Sequence, residues 1–272
     1  MIIGNKNFDT KNNVYVMGIL NVTPDSFSDG GLYNNIDSAL KQTEKMINEG
    51  ASIIDVGGES TRPNHKKISI EEEIDRVSKY IEAIKSHFAI PVSLDTYKEE
   101  VLKANLSNID MINDIWGLKW NPCIADAVAA SNLPYVLMHN RFKGDYINFK
   151  SDLIEDIRES LFIADKAGIK KENIIIDGGV GFQKSYIQNL ETLNETKRLK
   201  RLGYPVMVAV SNKSVIGLTL DEDVNNRLYG TLATTALAVI DGASFIRVHD
   251  VKANMQVIKM VKSIREEKKW IQ

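Results

Sequence analysis

The 272-residue chain has little of what marks several common classes of protein. It has one cysteine, so no disulfide can form within the chain, and a reducing compartment is expected. That residue, Cys123, falls in an apolar segment, 121–130, that predicts a helix and a buried thiol rather than a nucleophile. The four histidines are too scattered along the chain for a three-histidine zinc site.

Charge of one sign and long apolar runs are also lacking. Lys and Arg number 34 against 36 Asp and Glu, so the net charge of -2 gives no electrostatic footprint for nucleic acid. No apolar stretch approaches the roughly 20 residues that a membrane span needs. The polar start of the chain lacks the apolar core of a signal peptide. We therefore expect a cytoplasmic protein with neither nucleic acid nor membrane as a partner.

What the chain does have is a regular alternation of short apolar runs with longer amphipathic segments. Runs that are continuously apolar predict strands buried on both faces of a parallel sheet. Eight strand-then-helix repeats predict an α/β fold with a single (β/α)8 TIM barrel, preceded by an N-terminal arm over residues 1–13. A doubly wound open sheet is the alternative for the domain, which spans 14–272. The predicted strands are 14–20, 51–57, 91–95, 110–115, 134–139, 174–179, 205–211 and 244–249.

Polar residues follow these apolar runs all the way along the chain. The active face of such a barrel is the one where the strands end. One polar residue there is as readily a cap or a turn, but a complete ring of them indicates a site at the C-terminal ends of the strands. The ring consists of Asn21, 57–62, Asp95, 113–114, 139–140, 177–179, 211–214 and 247–250.

The ring contains two kinds of chemical group. Carboxylates beside an amide suit the edge of a planar heterocycle that carries amide or guanidine groups. A buried salt bridge between the two carboxylates and Lys213 is the alternative interpretation. Cations and hydroxyls suit phosphate, which barrels often hold after strands seven and eight. The first group comprises Asp95, Asn113, Asp177 and Lys213, and the second comprises Thr61, Arg62, Lys213, Arg247 and His249.

The segment 17–31, MGILNVTPDSFSDGG, predicts a third feature of the site. Its apolar run stops at Asn21, and the polar loop that follows continues to about Asn35, longer than the roughly 2–6 residues of a connecting loop. An ordinary surface loop is the alternative to a lid over the ligand. As a lid it would carry Thr23, Asp25 and Phe27. Asn21 and the loop oxygens could bind Mg²⁺ on a diphosphate.

Three motifs make a family resemblance plain: 17–31, IIDVGGESTRP at 53–63, and the sequential Asp95, Asn113, Asp177, SNKS and RVH pieces. The chain resembles dihydropteroate synthase, a pterin-binding TIM-barrel transferase of folate biosynthesis. The resemblance implies condensation of dihydropterin-methyl diphosphate with 4-aminobenzoate, by dissociative substitution assisted by Mg²⁺. It implies pterin binding by Asp95, Asn113, Asp177 and Lys213, diphosphate binding by Thr61, Arg247 and His249, aminobenzoate binding by Arg62, Pro63, Phe182 and Ser211, and metal binding by Asn21. Within these sets, the residues expected to be catalytic are Asp95, Asp177, Lys213, Arg247 and His249.

The chain departs from the family pattern at Asn64, Gly178 and Asn212, which stand where the family has Gly, Pro and Arg. Asn212 matters most, because Arg-to-Asn removes a charge and a planar stacking surface. We expect it to weaken aminobenzoate binding or alter the response to sulfonamides without abolishing turnover.

Two other functions are compatible with a pterin pocket: a non-catalytic pterin-binding paralogue and a pterin-dependent methyltransferase barrel. The diphosphate set and the 17–31 loop favour the synthase over both. The segment 228–240, LYGTLATTALAVI, is apolar around more of a helix than one buried face needs. A homodimer formed by the last helices is therefore expected, and the family resemblance implies the same.

Overall fold

The structure, a computed structural model, describes residues 1–23, 32–59 and 67–265, with the backbone alone for 32–35. Eight parallel strands form a closed barrel, in which the last strand pairs with the first of the eight through Phe245 and Tyr15. A short antiparallel hairpin precedes them. The hairpin strands are β1 (Ile2–Ile3) and β2 (Lys6–Asn7), and the barrel strands are β3 (Tyr15–Asn21), β4 (Ile53–Gly57), β5 (Val92–Asp95), β6 (Met111–Asp114), β7 (Tyr135–Met138), β8 (Ile174–Asp177), β9 (Val206–Val208) and β10 (Phe245–Val248).

Helices connect the barrel strands and cover their outer faces. Among the described residues, none of them is both long and apolar enough to cross a membrane. The helices are α1 (Leu32–Asn48), α2 (Ile70–His87), α3 (Glu99–Asn105), α4 (Cys123–Ser131), α5 (Phe149–Ala167), α6 (Tyr186–Asn194), α7 (Thr196–Lys200), α8 (Ser214–Leu220), α9 (Leu228–Ile240) and α10 (Val251–Arg265), with 3-10 turns at Lys171–Asn173 and Val224–Asn226.

An apolar layer fills the lower part of the barrel. Ile3 and Phe8, from the hairpin and the residue after it, pack into the same cluster and close the N-terminal end of the barrel. Successive side chains of a strand point to opposite faces of the sheet. The residue two positions after each strand residue of this layer therefore also points into the barrel. The layer consists of Met17, Ile53, Met111, Val136, Ile175, Met207 and Phe245.

The predicted barrel is confirmed, and the open sheet is excluded by the pairing of β10 with β3. All eight predicted strands are present, and the observed strands lie within about two residues of the predicted ranges except at the end of 205–211. The prediction of a buried Cys123 was wrong, because this residue begins α4 and is exposed. The small apolar residues of this segment do form the buried face of α4, but Cys123 does not lie on that face.

Candidate active site

A polar layer lies directly above the apolar layer of the barrel. Period-two alternation places Asp55 two residues after Ile53, and the same step leads to Asn113, Asp177 and Arg247 on their own strands. Strand pairing sets Asp95 beside both Gly57 and Asn113. The local strand geometry therefore brings residues that are far apart in sequence into one ring at the barrel mouth.

Asp55 is at the centre of the ring's hydrogen bonds. Its Oδ2 accepts from Arg247 Nε at 2.6 Å and from Asn113 Nδ2 at 3.0 Å. Its side chain is fully buried. Since a buried guanidinium needs compensating charge, Asp55 fixes the plane of Arg247 and also orients the amide of Asn113.

Asp95 forms an ion pair with the other side of the same guanidinium. Arg247 Nη2 donates to Asp95 Oδ2 at 2.6 Å. Burial raises the pKa of Asp95 to about 7, although the charge of Arg247 opposes this and that of Asp55 reinforces it. Burial therefore makes Asp95 harder to ionise than an ordinary surface aspartate.

Asp177 and Lys213 meet through the turn that follows β8. Asp177 Oδ1 accepts from the backbone N–H of Gly179 at 2.8 Å, and Lys213 Nζ donates to the carbonyl oxygen of Val180 at 2.5 Å. The Lys213 ammonium also lies 4.8 Å from the centre of the Phe182 ring. Desolvation lowers the pKa of Lys213 to about 8, against the charge of Asp177, whereas burial raises the pKa of Asp177.

The alternative of a buried salt bridge between Lys213 and the two aspartates is not what the structure has. Arg247, rather than Lys213, forms the ion pair with Asp95. Lys213 instead contacts a backbone carbonyl and an aromatic face. Its ammonium is therefore held at the rim of the ring, where a ligand atom can reach it.

Ser211 and His249 form a second contact across neighbouring strands. Ser211 Oγ lies 3.0 Å from His249 Nδ1 and accepts from the His249 backbone N–H at 3.3 Å. Asn212, the next residue, adopts the left-handed conformation with φ 57°. Its backbone N–H donates to Thr231 Oγ1 at 3.2 Å, which anchors the turn to α9.

Apolar and aromatic side chains border the ring on one side. Tyr97, Ile115 and Met138 form a small buried cluster, against which Trp116 and Phe182 pack. All five lie on strand ends or in the loops that follow them. A flat apolar wall beside convergent polar groups is typical of a pocket for a planar ligand.

An ionic cluster lies where the chain enters and leaves the segment 60–66. Lys98 Nζ contacts Glu59 Oε2 and Glu73 Oε2, each at 2.7 Å. Thr96 Oγ1 donates to Glu73 Oε1 at 2.9 Å, and Ile68 N–H donates to Glu59 Oε2. These bonds fix both described ends of the second barrel loop.

The structure brings most of the described predicted site residues together. Asp95, Asn113 and Arg247 share one network with Asp55. Asp177 and Lys213 both bind the 179–180 turn, and Ser211 contacts His249. Phe182 lies at the rim, and Asn21 and Thr23 lie at the end of β3. Asp25, Phe27, Thr61, Arg62, Pro63 and Asn64 lie outside the described residues, so the lid and the Thr61 and Arg62 part of the anion-binding set remain predictions.

Asn21 is chemically suited to the predicted metal. It is half-buried at the mouth of the barrel, and its Oδ1 lies 3.7 Å from where a Cβ on Gly57 would be. No group of three or more His, Cys, Asp or Glu in the described part of the chain could bind a metal ion. Magnesium commonly uses one or two protein oxygens together with waters and substrate phosphates, which fits a single amide ligand.

Comparison with known proteins decides the family. The family model described as "Pterin binding enzyme" matches residues 17–249. The chain is 50% identical to the dihydropteroate synthase of Clostridium beijerinckii over 262 residues, 96% of this chain and 97% of that protein. A dihydropteroate synthase structure from Clostridium difficile, obtained in the presence of pteroic acid, superposes with a TM-score of 0.92 at 42% identity, over 95% and 99% of the two chains.

The chain belongs to the dihydropteroate synthase family. A third comparison agrees: the Yersinia pestis dihydropteroate synthase with a sulfonamide drug complex has a TM-score of 0.90 at 35% identity, covering 98% of this chain and 99% of that one. The resemblance drawn from the motifs is thereby confirmed across nearly the whole chain.

Two residues of this dihydropteroate synthase family member were missed by sequence reasoning. Asp55 lies inside an apolar strand, where a charged residue is itself a signal of a buried partner. Lys184 follows the 178–182 turn in an ordinary polar stretch, and its environment becomes visible only in the fold. Neither residue stands at a strand end, where the ring of polar residues predicts the site.

Proposed function

We propose that the ring binds the pterin of (7,8-dihydropterin-6-yl)methyl diphosphate and that the chain joins this substrate to 4-aminobenzoate, giving 7,8-dihydropteroate and diphosphate. The observation that carries this assignment is the shared network of Asp95, Asn113, Asp55 and Arg247. It sets carboxylate acceptors beside an amide that has both donor and acceptor atoms, which matches the amide and amino edge of a pterin.

Asp177 and Lys213 complete the pterin pocket in this proposal. Asp177 offers its second oxygen to ring N–H groups while Gly179 holds the first. Lys213 donates to a ring acceptor, and the Phe182 ring beside it covers one face. The two aspartates also favour the positive charge that the reduced ring shares when the diphosphate departs.

The leaving diphosphate lies toward His249 and Arg247 in the proposed complex, with Thr61 from the second loop. His249 donates to a leaving oxygen in this proposal, and its Nδ1 lies 3.0 Å from Ser211 Oγ. Asn21 would hold Mg²⁺ at this place, and the bound ion would supply additional positive charge to the leaving oxygens. The reaction proposed for the described residues needs no covalent nucleophile from the protein, because departure of the diphosphate leaves a carbon electrophilic enough for the arylamine to attack directly.

The arylamine enters over the rim formed by Phe182 and Ser211, with Arg62 and Pro63 from the second loop. Sulfonamides, which share the aminobenzene group, are expected to compete at the same place. Two solved relatives support this: the Clostridium difficile structure was obtained in the presence of pteroic acid, and the Yersinia pestis structure with a sulfonamide drug complex. The single cysteine supports a reducing cytoplasm as the location.

A homodimer formed through α9 and α10 is also proposed. Leu237 and Ile240 on α9 are 39% and 47% exposed, and Met260 and Ile264 on α10 are 62% and 64% exposed. Apolar side chains clustered on adjacent helices are a usual interface composition. A mass of one chain by light scattering at micromolar concentration would overturn the dimer.

A diphosphate-release assay, run with and without 4-aminobenzoate, tests the proposed reaction. Release that requires the arylamine supports a synthase. Pterin binding without release would show a non-catalytic binding protein, and methyl transfer to a corrinoid without release would show a methyltransferase barrel.

A further inference from the structure

Lys184 lies in the turn after β8 with its ammonium group surrounded by acceptors. Its Nζ is 2.9 Å from His139 Nδ1, 2.8 Å from the carbonyl oxygen of Gly179 and 3.1 Å from that of Phe182. An ammonium has three N–H donors and no acceptor. When Lys184 is protonated, the three neighbours use every donor it has, although burial lowers the pKa of Lys184 to about 7.

The protonation of His139 follows from its other neighbour. His139 Nε2 lies 2.8 Å from Asp156 Oδ2, and that carboxylate also accepts from Arg141 Nε at 2.6 Å. Because an ionised carboxylate only accepts, the imidazole proton lies on Nε2 and Nδ1 accepts from Lys184. Burial lowers the pKa of His139 to about 4, so the ring is neutral at physiological pH.

The turn that Lys184 holds is the one on which Asp177 and Lys213 depend. Gly179 N–H donates to Asp177 Oδ1, and the Val180 carbonyl accepts from Lys213 Nζ. Gly179 has φ +68°, and a Cβ there would be 2.0 Å from the carbonyl oxygen of His139. The turn is thus packed closely against the end of β7, in a conformation and a space that admit only glycine at position 179.

We propose that Lys184 is a positioning residue that fixes the 178–182 turn so that Asp177 and Lys213 face the pterin. It joins two strand ends: His139 at the end of β7 and the turn that follows β8. This inference rests on the proposed binding of the pterin by Asp177 and Lys213. Lys184 does not contact the substrate in this proposal, because its N–H groups bind His139, Gly179 and Phe182 within the protein.

Lys184→Met tests the proposal, because it keeps the length of the side chain and removes all three donors. The matched control is Lys150→Met, whose side chain is 50% exposed on α5 and pairs with Glu191 at 3.7 Å. Two dissociation constants are measured by calorimetry for each variant, with 6-hydroxymethylpterin and with inorganic diphosphate as the probes. The expected result is a rise of tenfold or more in the pterin constant of Lys184→Met, with the diphosphate constant within twofold of wild type. The control should leave both unchanged.

The split between the two probes separates positioning from general damage to the fold. A pterin constant within twofold of wild type in folded Lys184→Met would overturn the proposal, as would equal losses for both probes. If that variant does not fold, Lys184→Gln, which keeps an amide donor, is measured in its place. A severalfold weakening for the pterin alone supports the role, and no change refutes it. Failure of wild type to bind pterin at all would instead contradict the proposed function.

Hydrogen exchange gives an independent readout of the same turn. Amides of 178–182 should exchange faster in Lys184→Met than in Lys150→Met, while those of the β8 core exchange equally. Unchanged exchange in the turn would contradict the positioning role.

Discussion

Arg247 Nη2 donates to Asp95 Oδ2 at 2.6 Å, while Nε of the same guanidinium donates to Asp55 at 2.6 Å. One arginine from the last barrel strand thus links two aspartates from the second and third barrel strands. The carboxylates are held in fixed positions before any ligand arrives, and a preorganised site loses less free energy on binding than one that must first become ordered.

Asp55→Asn should destabilise the fold and weaken pterin binding together. The substitution leaves Arg247 with one anionic partner, and breaking a buried pair costs about 3–5 kcal/mol. Chemical denaturation should report a loss of that order, and calorimetry with 6-hydroxymethylpterin should report weaker binding. Asp75→Asn is the control, because Asp75 pairs with Lys79 on the surface of α2 and its side chain is 81% exposed. A loss of stability as small in Asp55→Asn as in the control would contradict the assigned role of Asp55.

Pterin binding should weaken as the pH falls through about 7. The pKa of Asp95 is raised to about 7 by burial, so lowering the pH neutralises the carboxylate that we propose accepts from the pterin. Below that pKa the dissociation constant should rise by up to about tenfold per pH unit from this group. The test is to measure the pterin dissociation constant between about pH 5.5 and 8.5 for wild type and for Asp95→Asn. Other titrating groups near the site are present in both proteins, so the difference between the two profiles isolates Asp95. Identical pH profiles would refute the prediction.

Gly179→Ala should be much more harmful than Gly168→Ala. Both glycines have positive φ, at +68° and +85°, which costs an ordinary residue about 1–2 kcal/mol. A Cβ on Gly179 would also meet the backbone of His139 at 2.0 Å, whereas a Cβ on Gly168 would meet nothing within 4 Å. For Gly179→Ala, both the midpoint temperature of thermal unfolding and the affinity for the pterin should fall. For Gly168→Ala, the midpoint temperature should fall slightly and the pterin affinity should not change. Equal effects of the two variants would show that the packing of the turn is unimportant.

Asn212→Arg should lower the Michaelis constant for 4-aminobenzoate. It restores the cation that the family usually has beside Lys213, and a guanidinium can pair with the aminobenzoate carboxylate. The left-handed backbone at Asn212 opposes the change, since Arg tolerates φ 57° less well than Asn. Steady-state kinetics and sulfonamide inhibition constants provide the test. If the Michaelis constant for 4-aminobenzoate and the sulfonamide inhibition constant were both unchanged, Asn212 would have no role in arylamine binding.

The barrel and much of its site could be predicted because they depend on local patterns. Continuous apolar runs marked the strands, and their polar ends marked Asp95, Asn113 and Asp177 without knowledge of any contact. The rule that strand ends meet on one face then predicted which residues share the site.

The contacts that organise the site could not be predicted in the same way. Arg247 lies 192 residues from Asp55, and Lys184 lies 45 residues from His139. These pairs form only when the barrel closes, so no window of sequence contains both partners. The strand-end position of Arg247 predicts a contact with phosphate, and the family resemblance implies the diphosphate. The structure adds that its guanidinium lies between Asp55 and Asp95, and its contact with diphosphate stays a prediction.

The most direct test of the proposed reaction measures 7,8-dihydropteroate formed from the pterin diphosphate and 4-aminobenzoate, by liquid chromatography with mass detection. Wild type should form one dihydropteroate for each diphosphate released, and Asp177→Asn should form it at least about tenfold more slowly because it loses a charge that stabilises the cationic ring. Pterin-dependent diphosphate release without dihydropteroate, or an Asp177→Asn variant as fast as wild type, would contradict the account.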